Sequence, residues 1–376
     1  MNSRDTPADD RRPPDGYGQA HTDPPPGYDS WSEYMQKISE QAQAAMPPAA
    51  APTAAATDAS LTDVLAEIRQ TLLADRGGNV ASYIPELARV DPDPFGIAMV
   101  AVDGRSVAVG DVEQPFTIQS ASKPFVYGLA IEEHGREGVL AKIGVQPVEE
   151  AFNAIALDEA TNRPFNPMIN AGAIAAADLI GGGNGDQRLA RLLTAFARGC
   201  GHPVEVDEEV FASERDTGER NRALAHLMRS FGMISDRLEE TLELYFQQCS
   251  INVTCRDLAM LGATLANQGV NPVTGERMLK ASTVRDVLSV MHGCGMYNFS
   301  GEWDLRIGIP AKSGVGGGIV GAIPGLGGIA TFSPRLDEKG NSVRGIAAFR
   351  MLAERFHLHL FDDRQLRDQT LNRFDR

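Results

Sequence analysis

Cysteine is scarce: Cys200, Cys249, Cys255 and Cys294 are the only four in 376 residues, and no two form a C-x-x-C pair. That is too few for a disulfide framework in a chain of this length. The seven histidines contain no H-E-x-x-H, so a metal centre has little to build on. Nowhere do eighteen or more apolar residues run together, which removes a membrane-spanning helix from the expectation. The first residues, MNSRDTPADDRRPPDGYG, hold no apolar core for an export signal. Positive charge is also in deficit, with 35 Lys and Arg against 50 Asp and Glu and a formal net charge of −15. Such a chain repels phosphate backbones and anionic headgroups, so neither nucleic acid nor a membrane is an expected partner. Together these absences point to a reducing, cytoplasmic compartment.

What is present is enough apolar material, 43% of the residues, to bury a substantial core. It is unevenly spread. Nine of the 22 prolines fall within residues 1–58, beside runs such as AMPPAAAPTAAAT. A stretch of that composition buries too little to offset its ordering entropy and reads as a disordered tail. Inside it, Trp31, Tyr34, Met35 and Ile38 recur at helical spacing behind Ser30 and Glu33. That pattern predicts a short helix within 30–45, either solvated or docking on a partner or on the body itself. The folded body is expected over 59–362, with 363–376 as a C-terminal tail.

Within the body, Leu61, Val64, Leu65, Ile68 and Leu72 mark a helix over about 61–75, capped by Ser60 and stopped by Gly77 and Gly78. FGIAMVAV (95–102) and SVAVG (106–110) flank Asp103-Gly104-Arg105 and read as a hairpin. A mostly helical middle follows to about 300, including a helix at 254–267 with Thr254 and Asp257 as a capping pair and Gly269 as its stop. Strands return at 316–323, 325–333 and 342–349, with a turn at 337–341. The pattern predicts an α/β chain of the α+β type. One antiparallel sheet is built from both ends of the body, with flanking helices and a helical lobe, and the cleft between them is the natural site.

The strongest chemical signal is FTIQSASKPFVYGLAI, where Ser120 and Lys123 stand three apart at the entrance to a helix. Positions i and i+3 share a helix face, so hydroxyl and amine can meet. A serine becomes nucleophilic when a base takes its proton, and a lysine serves if burial keeps it uncharged. A helix entrance also offers amide N–H groups to an oxyanion. Alone, S-x-x-K is equally a cap beside a solvated lysine. The second signal is PAKSGVGGG (310–318), whose Lys312-Ser313-Gly314 resembles the K-[ST]-G element that accompanies S-x-x-K in the serine β-lactamase and penicillin-binding group. Ser250-x-Asn252 matches that group's S-x-N only superficially.

Further segments fall in order along the chain: YIPELA (83–88), QSASKP (119–124), NPMINAGAI (166–174), SERDTGERN (213–221), YFQQCSINVTC (245–255) and HGCGMYNFSGEW (292–303). With PAKSGVGGG they resemble the glutaminase family, the serine-dependent enzymes that hydrolyse the side-chain amide of L-glutamine, over about 61–350. The resemblance implies a serine β-lactamase-like fold, no metal or organic cofactor, and assembly as a homotetramer. It implies Ser120 as nucleophile, Lys123 as base, and Tyr297 and Tyr245 as tyrosines beside the reaction. It further implies Asn170, Glu214, Asn221 and Tyr83 as holders of the substrate, with Val315 contributing its backbone. Elementary chemistry agrees: Glu214 can pair an α-ammonium, while asparagine amides and tyrosine hydroxyls bond carboxylate and amide without adding charge. Glu214 and Asn221, seven apart, would share a face if one helix ran through Gly218. Two other readings stand beside this one: a penicillin-interacting hydrolase of the same fold, and a non-catalytic scaffold that works through its N-terminal tail.

Overall fold

The computed structural model describes residues 60–148, 153–363 and 374. The helix expected within 30–45 lies outside the described residues. The body opens with α1 (Leu61–Leu72), whose cap Ser60 accepts from the Asp63 amide at 3.2 Å. Its stripe of Leu61, Val64, Leu65 and Ile68 is buried. A four-residue helix, α2 (Pro85–Ala88), precedes the hairpin of β1 (Gly96–Ala101) and β2 (Ser106–Gly110). Gly104 closes that hairpin at φ 88°, a conformation glycine adopts without steric cost.

The remaining elements follow in chain order. They are β3 (Phe116–Thr117), a 3₁₀ turn at Gln119–Ser122, α3 (Lys123–Leu140), α4 (Asn170–Asp178), α5 (Gly185–Cys200), α6 (Glu208–Thr217) and α7 (Glu219–Ser230). Then come α8 (Leu238–Cys249), β4 (Asn252–Val253), α9 (Cys255–Ala266), α10 (Ala281–Cys294), a second 3₁₀ turn at Tyr297–Phe299 and α11 (Ser300–Arg306). The C-terminal part supplies β5 (Ala311–Ser313), β6 (Gly318–Ile323), β7 (Gly327–Phe332) and α12 (Val343–Phe356). Among the described residues no helix is long and apolar enough to cross a membrane.

The main sheet has the order β2-β1-β7-β6-β5, and every neighbouring pair in it is antiparallel. Strands from both ends of the body therefore meet as expected. Its register decides which way each side chain faces, because successive residues alternate. Lys312, Val320, Ala330 and Ala98 lie in one row across four strands. Ser313, Ile319, Thr331 and Ile97 form the adjacent row. Val320, Ala330 and Ala98 belong to the core shared with the helical lobe, while Ile319 and Ile97 pack with α1 and α12.

α9 lies directly on the first of those faces. A Cβ on Gly328 would come within 2.2 Å of the Ala259 carbonyl oxygen, so only glycine allows this approach. The capping box expected for α9 is present: Thr254 Oγ1 accepts from the Asp257 amide at 3.2 Å, and Asp257 Oδ2 accepts from the Thr254 amide at 2.8 Å. In the lobe, every residue of α4 is buried. Its NAGAIAAAD sequence has side chains small enough for neighbouring helices to close around it.

One expected strand is a helix. Residues 342–349 open α12, with the Ser342 hydroxyl accepting from the Gly345 amide at 3.2 Å. The β-branched Val343 and Ile346 favour a strand locally. The buried set of Ala348, Phe349, Leu352, Ala353 and Phe356 instead follows helical spacing and extends beyond the window read as a strand. The expected turn does form: Asp337 Oδ1 accepts from the amides of Lys339 and Asn341, both at 2.9 Å, but it joins a strand to a helix. Within the expected C-terminal tail, Phe374 is buried in the α1–α12 core, and Arg105 donates to its carbonyl oxygen at 3.3 Å.

Candidate active site

β3 pairs with β4, Phe116 opposite Val253 and Thr117 opposite Asn252, and the Ile118 amide donates to the Ile251 carbonyl at 2.9 Å. This clamp fixes the start of the turn that carries Ser120. Gln119 begins the turn at φ 51°, a left-handed conformation that is costly for a residue with a Cβ and persists where its surroundings hold it. The turn is 3₁₀, with the Lys123 amide donating to the Ser120 carbonyl. In 3₁₀ geometry residues three apart eclipse, so Ser120 and Lys123 lie one above the other on the same face. The i, i+3 relation expected from the sequence is thus realised in a tighter helix than the one assumed.

Lys123 is buried at the first position of α3, and its Nζ donates to Asn170 Oδ1 at 2.8 Å. Asn170 in turn donates to Asn221 Oδ1 at 3.0 Å. Burial lowers the Lys123 amine to about 8, while the neighbouring Cys249 and Glu214 oppose the shift. Roughly a tenth is therefore uncharged at pH 7, far more than for an ordinary lysine, and that form is the one a base requires.

Ser120, Asn170 and Asn221 face a cavity of about 210 Å³, whose lining also includes Tyr83, Glu214, Tyr245 and Val315. Glu214 is buried at 6% exposure. Burial raises its pKa, against the hydrogen bonds of Tyr83 and Gln119 and the Lys123 cation, which lower it. Tyr83 donates to Glu214 Oε1 at 2.6 Å and lies 3.1 Å from Gln119 Oε1. Tyr83 is 50% exposed as a residue, yet this hydroxyl reaches inward, and burial beside Glu214 pushes its pKa well up. Glu214 and Asn221 do not share one helix. The chain breaks between α6 and α7 at Gly218, where a Cβ would stand 2.4 Å from Phe246 Cζ. Both residues still reach the same cavity.

Tyr297 sits just behind Ser120. It adopts φ 56°, is hydrogen-bonded to the Ser120 hydroxyl, and donates from Oη to the Ser313 carbonyl at 3.0 Å. Tyr245, on α8, is buried and hydrogen-bonded to the Cys249 thiol, which burial pushes up to about 12. Gly314 brings the β5–β6 turn against the serine: a Cβ there would lie 2.7 Å from the Ile118 carbonyl oxygen. That approach places Val315 in the cavity wall.

All nine residues singled out in the sequence therefore converge on one place, with Lys123 and Tyr297 just behind the lining. The sequence reading missed Gln119, Asn153, Thr217, Arg220 and Cys249, which also line it. Gln119 and Cys249 lay inside motifs already quoted, and their neighbours drew the attention. Asn153 comes from a stretch with no chemical pattern. Its carbonyl accepts from Arg220 Nη2 at 3.1 Å.

A serine and a desolvated lysine on one turn, facing a small cavity with, among the described residues, a single carboxylate, are the arrangement a serine–lysine hydrolase needs. Residues 78–361 match the family model described as Glutaminase. A glutaminase of Nostoc sp. is 56% identical over 299 residues, covering 80% of this chain and 90% of that protein. One of Microcystis aeruginosa is 58% identical over 285 residues, covering 76% and 84%. The crystal structure of Mglu in its glutamate form is 47% identical with a TM-score of 0.78, covering 81% of this chain and 70% of that one. The chain belongs to the glutaminase family.

Proposed function

We propose that this protein hydrolyses L-glutamine to L-glutamate and ammonia through an acyl-enzyme formed on Ser120. It is a glutaminase, an amidohydrolase. The observation that carries the mechanism is the 3₁₀ turn that ties the Lys123 amide to the Ser120 carbonyl, with the Lys123 amine buried and lowered to about 8. Uncharged Lys123 accepts the Ser120 proton as Oγ bonds to the δ-carbon. The amides of Ser120 and Val315 receive the oxyanion. The C–N bond then breaks, and ammonia departs with the proton held by Lys123, oriented by Tyr297 and Tyr245. Water attacks the resulting ester by the reverse path, Lys123 again taking the proton. Glu214 pairs the α-ammonium, with Tyr83 steadying the carboxylate. Asn170 and Asn221 bond the α-carboxylate and the amide. Every one of these roles is filled by the chain's own side chains and amides.

Ammonia release from L-glutamine by the purified protein tests the scheme. Ser120→Ala should reduce turnover by about a thousandfold or more, and full activity in that variant would overturn it. The same reading takes 59–362 as the catalytic body, with 1–58 outside it and Phe374 packed back into its core, in a cytoplasmic homotetramer. A monomeric mass by light scattering would remove the tetramer.

A further inference from the structure

The scheme leaves one buried amine without a task. Lys312 is fully enclosed at the middle position of β5, and the sheet register turns it to the lobe-facing side of the sheet. Its Nζ lies 3.9 Å from the centroid of the Tyr297 ring. It also donates to the Ser313 carbonyl at 2.6 Å, the same oxygen that accepts from Tyr297 Oη at 3.0 Å. A carbonyl has two acceptor sites, and these two donors fill them. Among the described residues no carboxylate pairs with this lysine, although burying an amine without one is costly.

Tyr297 needs such support. It is a non-glycine residue at φ 56°, which costs on the order of 1 kcal/mol or more and holds only where neighbours fix it. Its phenol must meet the Ser120 hydroxyl at one end while its ring keeps a single plane.

We propose that Lys312 is a positioning residue that acts through Tyr297: by covering the ring face and sharing the Ser313 carbonyl, it holds the phenol oxygen beside Ser120, where it orients the departing nitrogen to receive the proton from Lys123. Burial and the neighbouring Lys123 amine both push Lys312 well below the ordinary lysine range. Charged or neutral, the amine directs N–H groups at the ring.

This inference rests on the glutaminase reading, and substrates with different leaving groups separate the two. Amide cleavage requires a proton on the departing nitrogen, whereas the γ-methyl ester of L-glutamate is far less demanding. Lys312→Met and Lys312→Gln are to be assayed on both substrates beside Tyr297→Phe, with thermal melts to identify a folded variant. The expected result is a fall in kcat on glutamine of about tenfold or more, KM within about twofold, and a clearly smaller fall on the ester, matching the pattern of Tyr297→Phe. Equal losses on both substrates, an effect confined to KM, or unfolding of both variants would assign Lys312 to structure alone and overturn the proposal. Wild-type protein that releases no ammonia from glutamine would instead overturn the glutaminase reading itself.

Discussion

The two sides of the cavity are built differently. One consists of Ser120, Lys123, Tyr297 and Lys312, all buried, carried on a clamped 3₁₀ turn, on a left-handed tyrosine and on a strand paired within the sheet. The other consists of Tyr83, Glu214 and Asn221, carried on a loop and on two helices that meet at a break. Tyr83 is half-exposed, whereas Lys123 and Lys312 are at 1% and 0%. The burial that lets an amine shed its proton and act as a base is the same burial that would penalise a substrate's charged head. The division is therefore physical. Proton transfer sits in the desolvated wall, and recognition of a zwitterion sits where Tyr83 brings the lining toward solvent. Glu214 lies at the boundary: burial raises its pKa, and the hydrogen bonds of Tyr83 and Gln119 oppose that rise.

The comparison breaks most sharply at Lys123. Lys123→Met should lower kcat by about a thousandfold with KM little changed, because the loss falls on the transition state. In the unaltered enzyme kcat/KM should rise with pH through about 8, since a group lowered to that value is protonated and inactive below it. A rate that is flat from pH 6 to 9 would remove Lys123 from the role of base. The opposite wall should respond in KM. Glu214→Gln keeps the shape and removes the charge, so KM for glutamine should rise by about ten- to a hundredfold with a smaller change in kcat, measured by steady-state ammonia release.

The smallest effect is expected at Tyr83. Tyr83→Phe removes a donor to Glu214 on a half-exposed side chain and should raise KM by about three- to tenfold. Because that hydrogen bond lowers the Glu214 pKa, its loss moves the carboxylate further up. The acid limb governed by Glu214 should then shift to higher pH. A shift downward would contradict the assignment of Tyr83 as a group that lowers the Glu214 pKa.

Much of this was legible in the residues because local rules act locally. Asp103-Gly104-Arg105 makes a hairpin turn in any context that pairs its flanks, and Thr254 with Asp257 caps a helix by its own reach. Ser120 and Lys123 share a face in an α-helix or a 3₁₀ turn alike, so the pair survives an error in helix type. The failures occurred where packing overrode local preference. At 342–349 the β-branched residues favoured a strand, but Phe349, Leu352 and Phe356 pack on the sheet with helical periodicity. At Gly218 the ring of Phe246 fills the space a Cβ would occupy, and the helix breaks there.

By itself the chain determined the order of its elements, the turn that pairs a hydroxyl with an amine, and the inventory of groups able to hold an amino acid. These follow from short-range sterics, hydrogen-bonding capacity and the spacing of apolar residues. Tertiary structure alone decided the protonation of that amine and the seat of Lys312 on the Tyr297 ring. It also decided the meeting of Tyr83 with Glu214, 131 positions apart. Desolvation and cross-strand register depend on what other parts of the chain exclude or align, and no stretch of residues carries that information alone.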